Sequence, residues 1–144
     1  MKNHLSLLVI PILLSCNSNS QNVTKTYDYD DIDRTIVWSE IFSKEQESYS
    51  IYFYNKKCGH CLEIKQLIID YYFKEIEILY FLETNEESIY GPKSDLVGIS
   101  NIKDFYIFGT PFLINIYKSS IENYYAGSKQ IVDYINYKIE SNYN

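Results

Sequence analysis

The hydrophobic pattern changes period at one joint, and the chain is read outward from there. Tyr49-Ser50-Ile51-Tyr52-Phe53-Tyr54 is aromatic or β-branched except for one serine, which predicts a central strand. Beyond Cys61 the period lengthens. Ile64, Leu67, Ile68, Tyr71 and Tyr72 recur at i, i+3, i+4, i+7 and i+8, one face of a helix. Between the two lies Lys56-Lys57-Cys58-Gly59-His60-Cys61. This spacing puts Cys58 at or just before a helix N-terminus and Cys61 one turn inside.

The same reading extends along the chain. Arg34 to Val37 predicts a first strand, and Ser39 caps a short helix through Ile41 and Phe42. Ile76 to Leu82 predicts the next strand. Glu83 to Lys93, which contains Gly91-Pro92, predicts a loop. Ser94 caps a short helix through Ile99, although Gly98 weakens it. Phe108-Gly109-Thr110-Pro111 breaks the chain before an apolar run from Phe112 to Tyr117. Ser119-Ser120 is a turn, Asn123 to Ala126 a final strand, and Gly127 its end. Ser128 caps a last helix with Ile131, Val132, Ile135 and Ile139 on one face. Strands and helices in this order predict an α/β domain, a mixed sheet with helices on both faces.

The apolar segment from Leu5 to Leu14 belongs to a different class. It follows Lys2, is interrupted by Pro11 and ends at Ser15, the architecture of an export signal over residues 1–15. It is shorter than the roughly 20 residues a membrane-spanning helix needs. Leu13-Leu14-Ser15-Cys16 resembles the lipobox of bacterial lipoproteins, which implies lipid attachment at Cys16; an ordinary secretory signal with a chance cysteine is the alternative. Residues 16–33 then read as a lipidated N-terminus and polar tether, and residues 34–144 as the domain. Both readings of the signal place the domain outside the cytoplasm, as a membrane-anchored lipoprotein or a secreted or periplasmic protein, where disulfides form and exchange.

Composition narrows the function. A net charge of −6 lacks the basic patch that a nucleic-acid partner requires. The 46% hydrophobic content is enough for a core. Three cysteines are present, and Cys58 and Cys61 are the pair. Thiolate is the reactive form of a cysteine, and a helix N-terminus favours it on Cys58. Lys57 and His60, when charged, add to that effect, and Gly59 allows a substrate backbone to approach closely. The expected chemistry is attack by Cys58 on a disulfide, then resolution by Cys61. No separate cofactor is expected, because the Cys58–Cys61 disulfide is itself the redox group. A metal is not expected either. His4 lies in the signal, so His60 is the remaining histidine, too few ligands for a tetrahedral zinc site. A structural disulfide and an iron–sulfur cluster shared between two chains are the other readings of the pair.

The element order, with CxxC after the first core strand and Thr110-Pro111 before the third, resembles the thioredoxin superfamily over residues 34–140. Cys58-Gly59-His60-Cys61 matches the active-site tetrapeptide of protein disulfide isomerases, and Gly127 falls where the family has a glycine after its last strand. The chain also resembles small exported bacterial thioredoxin-like proteins, including the bacteriocin-transport accessory type. The resemblance implies a thioredoxin fold, a cis peptide at Pro111, and a substrate peptide held against Gly59, Thr110 and Pro111. It implies thiol–disulfide exchange with protein or peptide cysteines, with a membrane redox partner to recharge the pair. It leaves open whether the protein oxidises, isomerises or reduces. A non-catalytic accessory lipoprotein assisting peptide or protein export is the second reading. Three positions depart from the family. Tyr52 stands where a buried acid lies six residues before the first cysteine, Lys57 replaces the preceding tryptophan, and Gln66 lies near the position of the helix-kinking proline.

Overall fold

The computed structural model describes residues 25–143. The export segment and Cys16 lie outside the described residues. Four strands form one mixed sheet: β1 (Ser48–Tyr54), β2 (Leu79–Glu83), β3 (Phe112–Tyr117) and β4 (Ser120–Ala126), in the order β2-β1-β3-β4. Two helices, α1 (Gly59–Phe73) and α2 (Ser128–Asn142), complete the regular structure with two short 3-10 turns at Tyr29–Asp31 and Trp38–Glu40. β1 is the central strand, parallel to β2 and antiparallel to β3. It is buried from Tyr49 to Tyr54, which is why its sequence is almost continuously apolar. Among the described residues no helix is long and apolar enough to cross a membrane.

The pleat of β1 divides the core in two. Tyr52 and Tyr54 face α1 and α2, with Leu113, Ile64, Ile68, Ile131 and Ile135. Ile51 and Phe53 face the other way, with Trp38, Ile41, Leu96, Phe105 and Ile107. Both α-helices therefore lie on one side of the sheet. The opposite side carries one 3-10 turn and the irregular segment 94–108, where helices on both faces were expected. The expected helix from Ser94 to Ile99 does not form. The Asp95 carboxylate accepts the Val97 N–H at 3.0 Å, and Gly98 takes a left-handed φ of 87°. Asn101 binds the Lys103 N–H at 3.0 Å in the same way. Such side-chain-to-backbone bonds compete with helical pairing. The segment is held instead by burial of Leu96, Phe105 and Ile107, at no more than 1% exposure each. Each is worth about 1.5–3 kcal/mol.

Smaller boundary differences have local causes. Arg34 to Val37 makes a single parallel bridge, Thr35 to Phe81, rather than a strand. Ser39 lies within the 3-10 turn and does not cap it; the preceding Val37 does not cap it by side chain either. β2 begins at Leu79, not Ile76, because Glu75 (φ 51°) reverses the chain after α1. The β3–β4 turn falls at Lys118 and Ser119, both left-handed as a two-residue hairpin of this type requires. Gly127 (φ 84°) precedes α2 and donates its N–H to the Pro111 carbonyl at 2.9 Å. Ser128 is therefore the first helical residue rather than the cap.

The tether boundary drawn at residue 33 falls inside the folded unit. Tyr29 and Ile32 are 3% and 7% exposed and belong to the core on the helical side. Asp28 caps the first 3-10 turn and pairs with Lys65 of α1 at 3.0 Å.

Candidate active site

The site is assembled where β1 ends. Cys58 follows the strand after a turn in which Asn55 Oδ1 accepts the Lys57 N–H at 2.9 Å and the Asn55 carbonyl accepts the Cys58 N–H at 3.0 Å. This turn aims Cys58 across the start of α1. Its backbone is extended, and it is the N-cap of the helix. The Cys58 sulfur accepts the Cys61 N–H at 3.3 Å, so a thiol does the work that serine or aspartate does in most caps. Cys61 lies one turn in and is fully buried. Both are free thiols, so the structure is that of the dithiol form.

Thr110 and Pro111 supply the facing wall. The peptide bond between them is cis, and the Cys58 thiol donates to the Thr110 carbonyl at 3.3 Å. The sequence separation is 52 residues, and the sheet closes it, because Phe112 pairs with Phe53 at the same end of β1 and β3.

The two thiols are electrostatically unequal. Partial burial works against the charged form of Cys58. Hydrogen bonds from the Cys61 thiol, the Thr110 side chain and the backbone N–H groups of Cys61 and His60 outweigh it and hold Cys58 below its ordinary value. Burial, then the hydrogen bond with Cys58, push Cys61 up to about 11. At neutral pH one sulfur is activated and the other is kept protonated.

The remaining sequence candidates are placed as follows. Gly59 is the first residue of α1, exposed, with open space around its α-carbon. His60 is also exposed, and its Nδ1 faces Glu63 at 3.4 Å. Lys57 is exposed and, among the described residues, forms no ion pair. The groups that lower Cys58 include the backbone of His60. Among the described residues no three His, Cys, Asp or Glu side chains converge as a metal site requires.

Sequence reasoning did not find two features. The first is Tyr29, whose hydroxyl donates to the Cys61 carbonyl at 3.3 Å and whose ring stacks on Tyr54 at 4.0 Å. It comes from the segment read as a polar tether, and nothing in the local pattern marks it. The second is a groove running away from Thr110-Pro111, lined also by Lys93, Phe108, Tyr124 and Ala126. Its residues come from three segments that only the fold brings together. Beneath the pair, Tyr52 is fully buried, and its hydroxyl has no hydrogen-bond partner among the described residues. Burial, with the neighbouring Tyr29 and the two cysteines, drives its phenol far above its ordinary range, so it stays neutral.

No family model matches the chain, and no curated protein matches it in sequence. Solved structures do match. Thioredoxin NaTrxh from Nicotiana alata superposes at a TM-score of 0.51 with 18% identity, over 75% of this chain and 91% of that one. The fold is the thioredoxin fold. Thioredoxin f2 from Chlamydomonas reinhardtii aligns at a TM-score of 0.49 with 12% identity, over 71% of this chain and 92% of that one. Within the thioredoxin fold, the cysteine pair stands at the N-terminus of the first long helix, opposite the cis proline.

Proposed function

We propose that this protein is a thiol–disulfide oxidoreductase acting on protein or peptide cysteines. The observation that carries the reading is the Cys58 sulfur capping α1, 3.3 Å from the Cys61 N–H and 3.3 Å from the Thr110 carbonyl. In the reducing direction the Cys58 thiolate attacks one sulfur of a substrate disulfide. A Cys58–substrate disulfide forms, and the other substrate sulfur leaves as a thiolate and takes up a proton. Cys61 then loses its proton and attacks Cys58, which releases the second substrate thiol and leaves the Cys58–Cys61 disulfide. The reverse sequence oxidises a substrate dithiol. A neutral Tyr52 does not accept the Cys61 proton, so that proton passes to the leaving thiolate or to water.

The test is single-turnover reduction of insulin by the pre-reduced protein. Cys58→Ser abolishes the reaction, and Cys61→Ala accumulates the mixed disulfide. An undiminished rate in Cys58→Ser overturns the reading.

The proposal extends to location. Lys2, the apolar segment to Leu14, and Leu13-Leu14-Ser15-Cys16 support export and lipid attachment at Cys16, which would hold the domain at an extracytoplasmic membrane surface beside a membrane redox partner. On expression in a bacterium, the wild type then partitions with membranes and Cys16→Ser does not. Equal partitioning of the two removes the lipid anchor from the proposal.

A further inference from the structure

The segment that replaces the expected helix also builds a groove. A cavity of about 240 Å3 opens at Thr110 and Pro111, with Lys93, Phe108, Ala126 and Gly127 on its walls. A second of about 380 Å3 shares Lys93, Phe108 and Ala126 with it and continues to Ser94, Tyr124 and Gln130. Together they form one continuous trough that starts at the residue whose carbonyl meets the Cys58 sulfur. Its floor is apolar and aromatic. Phe108 packs edge-on against Phe112 and Tyr124, and Phe112 stacks on Tyr124 at 6.0 Å, so the surface is fixed by ring contacts. The Tyr124 hydroxyl donates to the Ser94 carbonyl at 3.1 Å, which ties the rim that carries Lys93 to β4.

The charge of the trough differs from that of the molecule. The chain has 19 acidic and 13 basic residues, yet Lys93 is the one charged side chain lining either cavity among the described residues. Lys93 is exposed and makes no ion pair there. Lys57, which precedes Cys58, is in the same condition. By contrast, Lys56 pairs with Asp30 and Lys65 with Asp28, so lysines near the site that have an internal carboxylate within reach are engaged. In a protein of net charge −6, a lysine without an ion pair among the described residues thus lines the groove that begins at Thr110, and another immediately precedes Cys58 in the chain.

We infer that the groove is a specificity site for an extended substrate segment, one that places an apolar or aromatic side chain over Phe108 and Tyr124 and a carboxylate against Lys93, a few residues from its reacting cysteine. This rests on the oxidoreductase reading and names the substrate class it acts on. An extended segment rises about 3.3 Å per residue with side chains alternating in direction, so neighbouring positions reach the apolar floor and the charged rim separately. Electrostatic complementarity of this kind sets partner choice and encounter rate more than raw affinity. The acidic surface elsewhere disfavours acidic partners in general, so the preference is local to the trough.

The experiment uses the pre-reduced protein in single turnover against peptides whose one cysteine carries a mixed disulfide with 2-mercaptoethanol. The peptides share a phenylalanine and differ only in having Glu, Gln or Lys beside it, on either side of the cysteine. Cys58 attacks the disulfide, and Cys61 closes on Cys58. The products are the enzyme disulfide, free peptide thiol and 2-mercaptoethanol. The wild type is expected to prefer the Glu peptide to the Lys peptide by about 5-fold in second-order rate constant, the order of one partly exposed ion pair exchanged for a repulsion. The ratio should fall towards one in high salt. Lys93→Glu should reverse the order, whereas Lys103→Glu, an equal charge change at an exposed lysine outside the trough, should keep it. A wild-type ratio of one at low salt overturns the inference, and so does a Lys93→Glu ratio equal to that of the wild type. Hydroxyethyl disulfide, which is uncharged and too small to reach the trough, separates the two claims. If the wild type reduces it while showing no peptide preference, the specificity site falls and the oxidoreductase reading stands. If the wild type reduces neither it nor any peptide, the oxidoreductase reading falls first.

Discussion

The backbone N–H of Cys61 points at the sulfur of Cys58 from 3.3 Å, so the helix that carries both cysteines stabilises charge on only one of them. Cys58 is held below its ordinary value against the opposing effect of burial, while Cys61 is pushed up to about 11 by burial and by Cys58. Alkylation requires thiolate, so its rate rises with pH and levels off above the pKa of the reacting sulfur. Iodoacetamide should modify Cys58 with a midpoint below that of a free cysteine at about 8.5. Cys61 should stay unmodified through neutral pH. Peptide mapping by mass spectrometry across a pH series checks this; equal labelling of both sulfurs at pH 7 would contradict it.

The same asymmetry bears on redox poise. Stabilising the Cys58 thiolate stabilises the dithiol form and makes the disulfide a better oxidant. Removing one of the groups that stabilise that thiolate, as in Thr110→Val, should therefore lower the reduction potential of the Cys58–Cys61 pair relative to the wild type. Equilibration against glutathione redox buffers measures it. A Thr110→Val potential equal to or above that of the wild type would mean that the hydrogen bonds to Cys58 are offset by others to the disulfide form.

Tyr52 makes a stability prediction of unusual sign. Its hydroxyl is buried without a partner, and leaving such a group unsatisfied costs about 1–3 kcal/mol. Tyr52→Phe keeps the ring, which packs against Phe81 at 5.6 Å and Tyr54 at 6.0 Å, and removes the orphaned oxygen. The variant should be as stable as the wild type or more so, by up to about 1 kcal/mol, in urea unfolding at constant m-value. A loss of more than 1 kcal/mol would show that the hydroxyl has a partner in solution, such as a buried water.

Gly91 makes the opposite kind of prediction. A β-carbon there would lie 2.3 Å from the Tyr106 ring and 2.7 Å from the ring's attachment carbon, too close to relieve by a side-chain swing alone. Gly91→Ala should cost about 1–3 kcal/mol by overpacking. It should also disturb the neighbouring Lys93, because the Gly91 N–H is bound to the Ile107 carbonyl at 3.0 Å and anchors that rim. Thermal unfolding checks the first effect. Unaltered stability would mean that the 89–91 and 105–107 segments separate at little cost.

Where the sequence could be read and where it could not follows from the range of the interactions. β1, α1, β3 and α2 are written in local periodicity, and Phe112 to Tyr117 was placed to the residue. The placement of Cys58 and Cys61 was legible because it depends only on where a helix starts. Thr110-Pro111 was legible through its resemblance to a known motif. The helix expected over Ser94–Ile99 does not form, because Leu96, like Phe105 and Ile107 beyond it, is buried singly along an irregular path that no local spacing marks. Tyr29 gave no signal, since its partners, Tyr54 and Cys61, lie 25 and 32 residues away in sequence. Lys93 looked like an ordinary loop lysine until the fold set it beside Phe108 and Ala126.

The bond from the Tyr29 hydroxyl to the Cys61 carbonyl sets a limit on reach. The folded unit begins by Asp28, which is tied to α1 through Lys65. With a lipid on Cys16, only the residues from Cys16 to Asp28 would separate the folded body from the bilayer surface. At about 3.3–3.6 Å per residue that length is about 40 Å when fully drawn out. Upstream of Tyr29 the chain runs along α1, with Asp28 on Lys65 and the Tyr27 ring on Phe73 at 4.2 Å, so it leaves the body near the end of that helix away from the cysteines. The reactive end would then stand about 20 Å beyond the point of attachment, the length of α1, so tether and helix together would let the sulfurs meet substrates up to about 60 Å from the bilayer.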